Sequence, residues 1–246
     1  MNRAVLSVEF LGLPGSGKSA LSCRLGRFLS ERGFAVDETS FHLSHGPRRM
    51  VRVVRKSIHV CAEILRHPVY AAGVIATVGA TGQPGHWIFL KMSFNWLLVS
   101  SLLRAPRHGA TIALHDQGLF QALWSIGLGS GAGAIETTCA RLGGAMPVAS
   151  LVVLVEADRR AIRARLESRP ENDSRLDRRG GDQDDLQRRA EDLMQVVRSR
   201  LDTMRGDPCG PGLVVVQNAD GGLEACARDL GERIERLVHE EKEDRP

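Results

Sequence analysis

The stretch from Gly12 to Ala20 reads GLPGSGKSA and spells G-x-x-x-x-G-K-[ST] in full between Gly12 and Ser19. Gly12, Gly15 and Gly17 let the backbone turn tightly, so that successive N–H groups point at phosphate oxygens. Leu13, Pro14, Ser16 and Ala20 complete the cradle, and the helix that follows adds the positive end of its dipole. Lys18 is placed to reach the outer phosphates of a triphosphate, and the Ser19 hydroxyl to ligate Mg²⁺. A chance match of this pattern in a strand–loop–helix setting is rare.

Two further groups bear on the use of a bound triphosphate. LHDQGLFQ puts Asp116 at the end of an apolar run. An acid at a strand tip beside such a loop holds Mg²⁺ directly or through water; the plainer alternative is a cap for the next helix. Gln117 follows where motor ATPases commonly place a water-activating Glu, which disfavours a motor, although Gln orients water in some switches. In ADRRAIRARLESRPENDSRLDRR, Arg165 and Arg169 lie four apart, on one face at the end of a helix leading into a polar loop. Guanidinium groups on a closing loop stabilise the charge of a transferring phosphoryl group and exclude water. Arg163, Arg175, Arg178 and Arg179 are further candidates, with a solvated charged face as the alternative for any one of them.

These residues need a scaffold, and the patterning supplies one. AVLSVEF reads as a buried parallel strand, and Leu21, Leu25 and Leu29 mark a helix that Gly33 ends. FAVDETS, ATIALHD, SLVVLVEA and GLVVVQNAD are the remaining strands. Helices fill the spaces between, and GLEACARDLGERIERLVHEEK is a final amphipathic helix. Strands alternating with helices predict an α/β fold, a parallel sheet with helices on both faces. The expected organisation is one domain over residues 1–246, with a helical insert at about 42–106 and a lid loop at about 169–183.

The insert is where an acceptor belongs. Trp87, Phe89, Phe94 and Trp96 are expected mostly in the core, with an aromatic substrate face as the lesser reading. RRMVRVVRK sets Arg48, Arg52 and Arg55 at helical spacing with Arg49 and Lys56 beside them, either as a solvated face or for an anionic acceptor. The short patch lacks interleaved aromatics, which disfavours nucleic acid. Asp37 is placed to bind an acceptor hydroxyl or act as a base. His42, His45 and His115 are available, but none is assigned a catalytic role.

The composition fits this class. The chain has 246 residues, 43% hydrophobic and 25% charged, with a net charge of +4. Cys23, Cys61, Cys139, Cys209 and Cys226 are scattered, without a C-x-x-C pair, so buried thiols in a reducing cytosol are expected rather than disulfides or zinc. No signal peptide is expected from the N-terminal residues, which run straight into the loop. The most apolar stretch, about 16 residues with Lys91 and Asn95 inside it, is shorter than the roughly 20 of a membrane span. A cytoplasmic location is therefore expected. No N-K-x-D motif supports a GTPase.

The order of P-loop, strand-end Asp116, RLESR before a polar stretch, and a last strand running into NADGGLEA resembles the nucleoside monophosphate kinases, thymidylate kinase and its relatives above all. The resemblance implies a three-layer P-loop fold with a five-stranded parallel sheet, ATP with Mg²⁺, a closing lid and a small-molecule acceptor. It also admits a homodimer. Lys18 and Ser19 match the P-loop roles, Arg165 and Arg169 the lid arginines, and Asn218 to Gly221 the loop near the adenine. The chain departs from thymidylate kinases in three places. Pro14 stands where they carry Asp, Asp116-Gln117 where they carry Asp-Arg, and Asp37-Glu38 where an Arg meets the acceptor phosphate. Transfer to a hydroxyl is at least as consistent as transfer to a nucleotide. A nucleotide-binding regulatory module is the alternative.

Overall fold

A computed structural model describes residues 5–45, 49–105, 109–168, 183–206, 210–219 and 222–243. Five strands, β1 (Leu6–Leu11), β2 (Val36–Asp37), β3 (Ile112–His115), β4 (Leu151–Glu156) and β5 (Gly212–Gln217), form one parallel sheet in the order β2-β3-β1-β4-β5. The α/β class, the strand count and the parallel pairing are those expected. The chain leaves β1 toward β2 and returns past it to β4, so the strand order reverses beside β1. A crevice therefore opens at the carboxyl ends of the central strands, where open α/β sheets bind ligands.

Alternation along the strands sends side chains to two apolar layers. Leu6, Val8 and Phe10 of β1 pack with Leu21, Leu25 and Leu29 of α1 (Lys18–Glu31) and with Leu230 and Ile234 of α10 (Leu223–Glu243). On the other face, Leu11, Val152 and Leu154 meet α5 (His86–Arg104), α6 (Leu119–Ser130), α7 (Ala132–Leu142) and α9 (Gln183–Met204). Burial on both faces explains the unbroken apolar run of β4. α1 ends as its sequence signals: Gly33 N–H donates to Ser30 O and Phe34 N–H to Leu29 O, the paired bonds of a Schellman motif.

The expected second strand shrinks to Val36–Asp37 because Asp37 starts a helix. Its Oδ1 accepts from Thr39 N at 2.9 Å and Thr39 Oγ1 at 2.5 Å, and α2 (Thr39–His45) begins there. Between α2 and β3 run α3 (Arg49–Arg66), α4 (Pro68–Ala80) and α5. The expected lid at 169–183 falls outside the described residues except for Gln183, which opens α9.

Candidate phosphate-binding and transfer site

The loop leaves β1 at Leu11 and turns into α1 at Lys18. Gly17 precedes the helix with φ +96°, and a Cβ there would lie 2.2 Å from Asn218 Nδ2, so both conformation and space demand glycine. Asn218, 4% exposed just beyond β5, donates from Nδ2 to Ser16 O at 2.7 Å. Arg165 of α8 (Arg159–Glu167) reaches the same stretch, its Nη1 donating to Gly15 O at 3.3 Å and Ser16 O at 3.4 Å. Two residues distant in sequence thus hold the outward carbonyls of the loop. Lys18 folds over it, with Nζ 2.8 Å from Gly12 O and 3.0 Å from Leu13 O.

Behind the loop lies a carboxylate that the sequence did not single out. Glu9 is fully buried on the face of β1 opposite Val8 and Phe10, which turns it toward α6. Its oxygens accept from the N–H groups of Leu119 (3.0 Å), Phe120 (2.8 Å) and Gln121 (3.2 Å), the otherwise unpaired donors of the first turn of α6. Burial raises its pKa to about 7, against the lowering effect of those three bonds. Gly118 makes the approach possible: a Cβ there would sit 1.9 Å from Glu9 Cδ. Gln121 returns the connection, its Oε1 accepting from Gly12 N at 3.3 Å. An acid inside an apolar strand, with a glycine before the next helix, was the available signal.

Asp116 sits beside this frame. Glu9 and His115 are register partners in β1 and β3, so Asp116, the next residue, leaves the sheet at the edge that carries the loop. It is 1% exposed, and Oδ1 has no hydrogen-bond partner. A buried carboxylate oxygen without a donor is a costly arrangement that a cation relieves, so the residue fits a metal-holding role. Ser19 stands in the first turn of α1, partly buried, on the same edge.

No protein-family model and no curated protein matches the chain. Among solved structures it is similar to a deoxyadenosine kinase from M. mycoides with bound dCTP. The two share 11% identity at a TM-score of 0.47, over 92% of this chain and 99% of that one.

The structure brings Gly12 to Ser19, Arg165 and Asn218 into one constellation, with Asp116 at the same sheet edge. Arg169, Arg175, Arg178, Arg179, Arg48, Asp220 and Gly221 lie outside the described residues. Asp37 commits one oxygen to Thr39, and His42 is exposed with its ring against Phe41. In α3, Arg55 is exposed, whereas Arg52 and Lys56 are half-buried on the packed side with His59, Val60 and Glu63. Burial, with Arg52 nearby, lowers the Lys56 pKa. Glu63 pairs with Arg104, whose guanidinium lies 4.1 Å over the Tyr70 ring. Tyr70 OH accepts from Trp96 Nε1 at 3.0 Å.

The aromatic expectation needs correcting. Trp96 is fully buried, but Trp87 is 78% exposed and Phe94 36%. Nine residues, about two and a half turns, separate Trp87 from Trp96, so the two project from opposite sides of α5.

Proposed function

We propose that the protein is an ATP-dependent phosphotransferase acting on a small molecule. The observation that carries this reading is the loop from Gly12 to Ser19 at the strand reversal, with the unpartnered carboxylate oxygen of Asp116 at the same edge. The loop N–H groups and the amino end of α1 would receive the phosphates of ATP. Lys18 would exchange the carbonyls of Gly12 and Leu13 for phosphate oxygens. Ser19 and Asp116 would hold Mg²⁺, which supplies charge neutralisation at the phosphates. Arg165 and Asn218, from their present bonds, would keep the loop in its receiving shape, and Arg165 with Arg169 would serve the transferring group as a lid closes. Half-buried Arg52 and Lys56 support an acceptor with an anionic group.

The exposed apolar side of α3 favours a second reading, a nucleotide-binding module that presents these helices to a partner. A phosphoryl-transfer screen over nucleosides, nucleotides, sugars and sugar phosphates separates the two, run with calorimetry of ATP binding. Turnover that falls by about 10²- to 10³-fold in Lys18→Ala is the expected result. Turnover unaffected by Lys18→Ala would refute the mechanism, and tight ATP binding with no acceptor would favour the module.

A further inference from the structure

Helix α3 is amphipathic, and it is packed with its polar side inward. Arg52, Lys56, His59 and Glu63 share the packed side with Val60, while the apolar side chains stand outside. Val51, Val54, Ile58, Cys61 and Leu65 recur at alternating three- and four-residue steps, and all five are exposed, Ile58 at 62% and Leu65 at 81%. Trp87 and Leu90 of α5 are exposed as well. Among the described residues, every large hydrophobic side chain that stands exposed, Val215 excepted, lies in α3, α4 or α5. Concentration of this kind marks a surface that is covered in use.

The charge around it selects the cover. Between Thr39 and His115 the sequence holds nine Lys and Arg and a single acid, Glu63. Glu63 is 2% exposed and already paired with Arg104. Arg55, Arg66 and Lys91 are exposed on the same three-helix stretch. The three-four spacing alone would suit pairing with a second copy. Such pairing sets this basic face against an identical one, with no exposed carboxylate from α3, α4 or α5 to receive the cations. An acidic bilayer surface offers both an apolar layer for the outward side chains and anionic headgroups for the arginines. No helix among the described residues is long and apolar enough to cross a membrane, so the contact is one of lying on the surface.

We infer that the outward side of α3, with Trp87 and Leu90 at the start of α5, is a docking face for an anionic lipid bilayer. The inference is independent of the phosphotransferase reading and needs no acceptor for its test. The full chain is incubated with vesicles of phosphatidylcholine, alone or mixed with phosphatidylserine, and binding is read by co-sedimentation. Binding to the mixed vesicles should be about tenfold or more tighter, and salt should weaken it. Ile58→Asp with Leu65→Asp should abolish binding without lowering the unfolding midpoint, and Arg55→Glu with Arg66→Glu should remove the preference for phosphatidylserine. Because Trp96 and Trp124 are buried, a blue shift of tryptophan emission on the mixed vesicles would report Trp87 in the unmodified protein. Absence of binding, equal binding to both vesicles, or an unshifted emission would overturn the inference. So would a solution dimer that Ile58→Asp dissociates, which would assign the face to a second copy.

Discussion

The glycine-rich loop from Gly12 to Ser19 and the helices between β2 and β3 place polarity in opposite ways. Around the loop, charged and polar groups are enclosed and directed: Glu9 is 0% exposed, Asp116 1% and Asn218 4%. In α3 and α5, apolar groups are turned out, with Leu65 at 81% and Trp87 at 78%. A site that receives phosphate gains from fixed dipoles in a water-poor frame, where they cost no reorganisation. A surface that meets a partner gains from apolar area offered to solvent. Neither arrangement is favourable for folding by itself, and the core layers on both faces of the sheet sustain them.

The largest effect that would sharpen this contrast is expected at Asp116. Asp116→Asn should reduce Mg²⁺-dependent transfer about 10²-fold or more while stabilising the metal-free protein by roughly 1 kcal/mol, since a buried carboxylate without a full set of donors is removed. Steady-state assays with unfolding curves check both halves, and a variant that lost stability would break the assignment. Within α5, Trp96→Ala should cost about 3–5 kcal/mol, and Trp87→Ala less than about 0.5 kcal/mol. Equal costs in urea denaturation would dissolve the distinction between the two sides of that helix.

Glu9 gives a pH test. Its folded pKa of about 7 lies above the ordinary 4.5, so between those values the folded state keeps a proton that the unfolded state releases. Stability from this group is fully present below pH 4.5, falls as pH rises through the window, and levels off above about 7. The loss amounts to roughly 3 kcal/mol. Glu9→Gln should flatten that segment of the stability–pH curve relative to the unmodified protein. A smaller effect is expected at Asn218→Ala, which leaves Ser16 O with only Arg165. About 1–2 kcal/mol of stability and some nucleotide affinity should be lost, read by thermal unfolding with and without ATP.

Much of this arrangement was legible beforehand. The runs that form β4 and β5 carry apolar residues on both faces, and the cap at Gly33 and the G-x-x-x-x-G-K-[ST] loop are local signals that tertiary structure has little freedom to override. The outward set of α3 was not legible. Periodicity reveals that a helix has two sides but not which one faces in, and here Glu63 with Arg104 and His59 near Ser101 draw the polar side inward. Glu9 was hidden because its partners are backbone N–H groups, which leave no mark on composition. β2 was overestimated because Asp37 and Thr39 fit a strand end and a helix start equally well by residue type.

Glu9 has one more consequence. Its grip on the first turn of α6 and the return bond from Gln121 to Gly12 rivet strand and helix together at two points, a few residues beyond Asp116. The loop from Gly12 to Ser19 and the β3–α6 turn that carries Asp116 therefore share one reference frame. Substitutions at Glu9, Gly118 and Gln121 should behave as one lesion, with combined losses well below their sum.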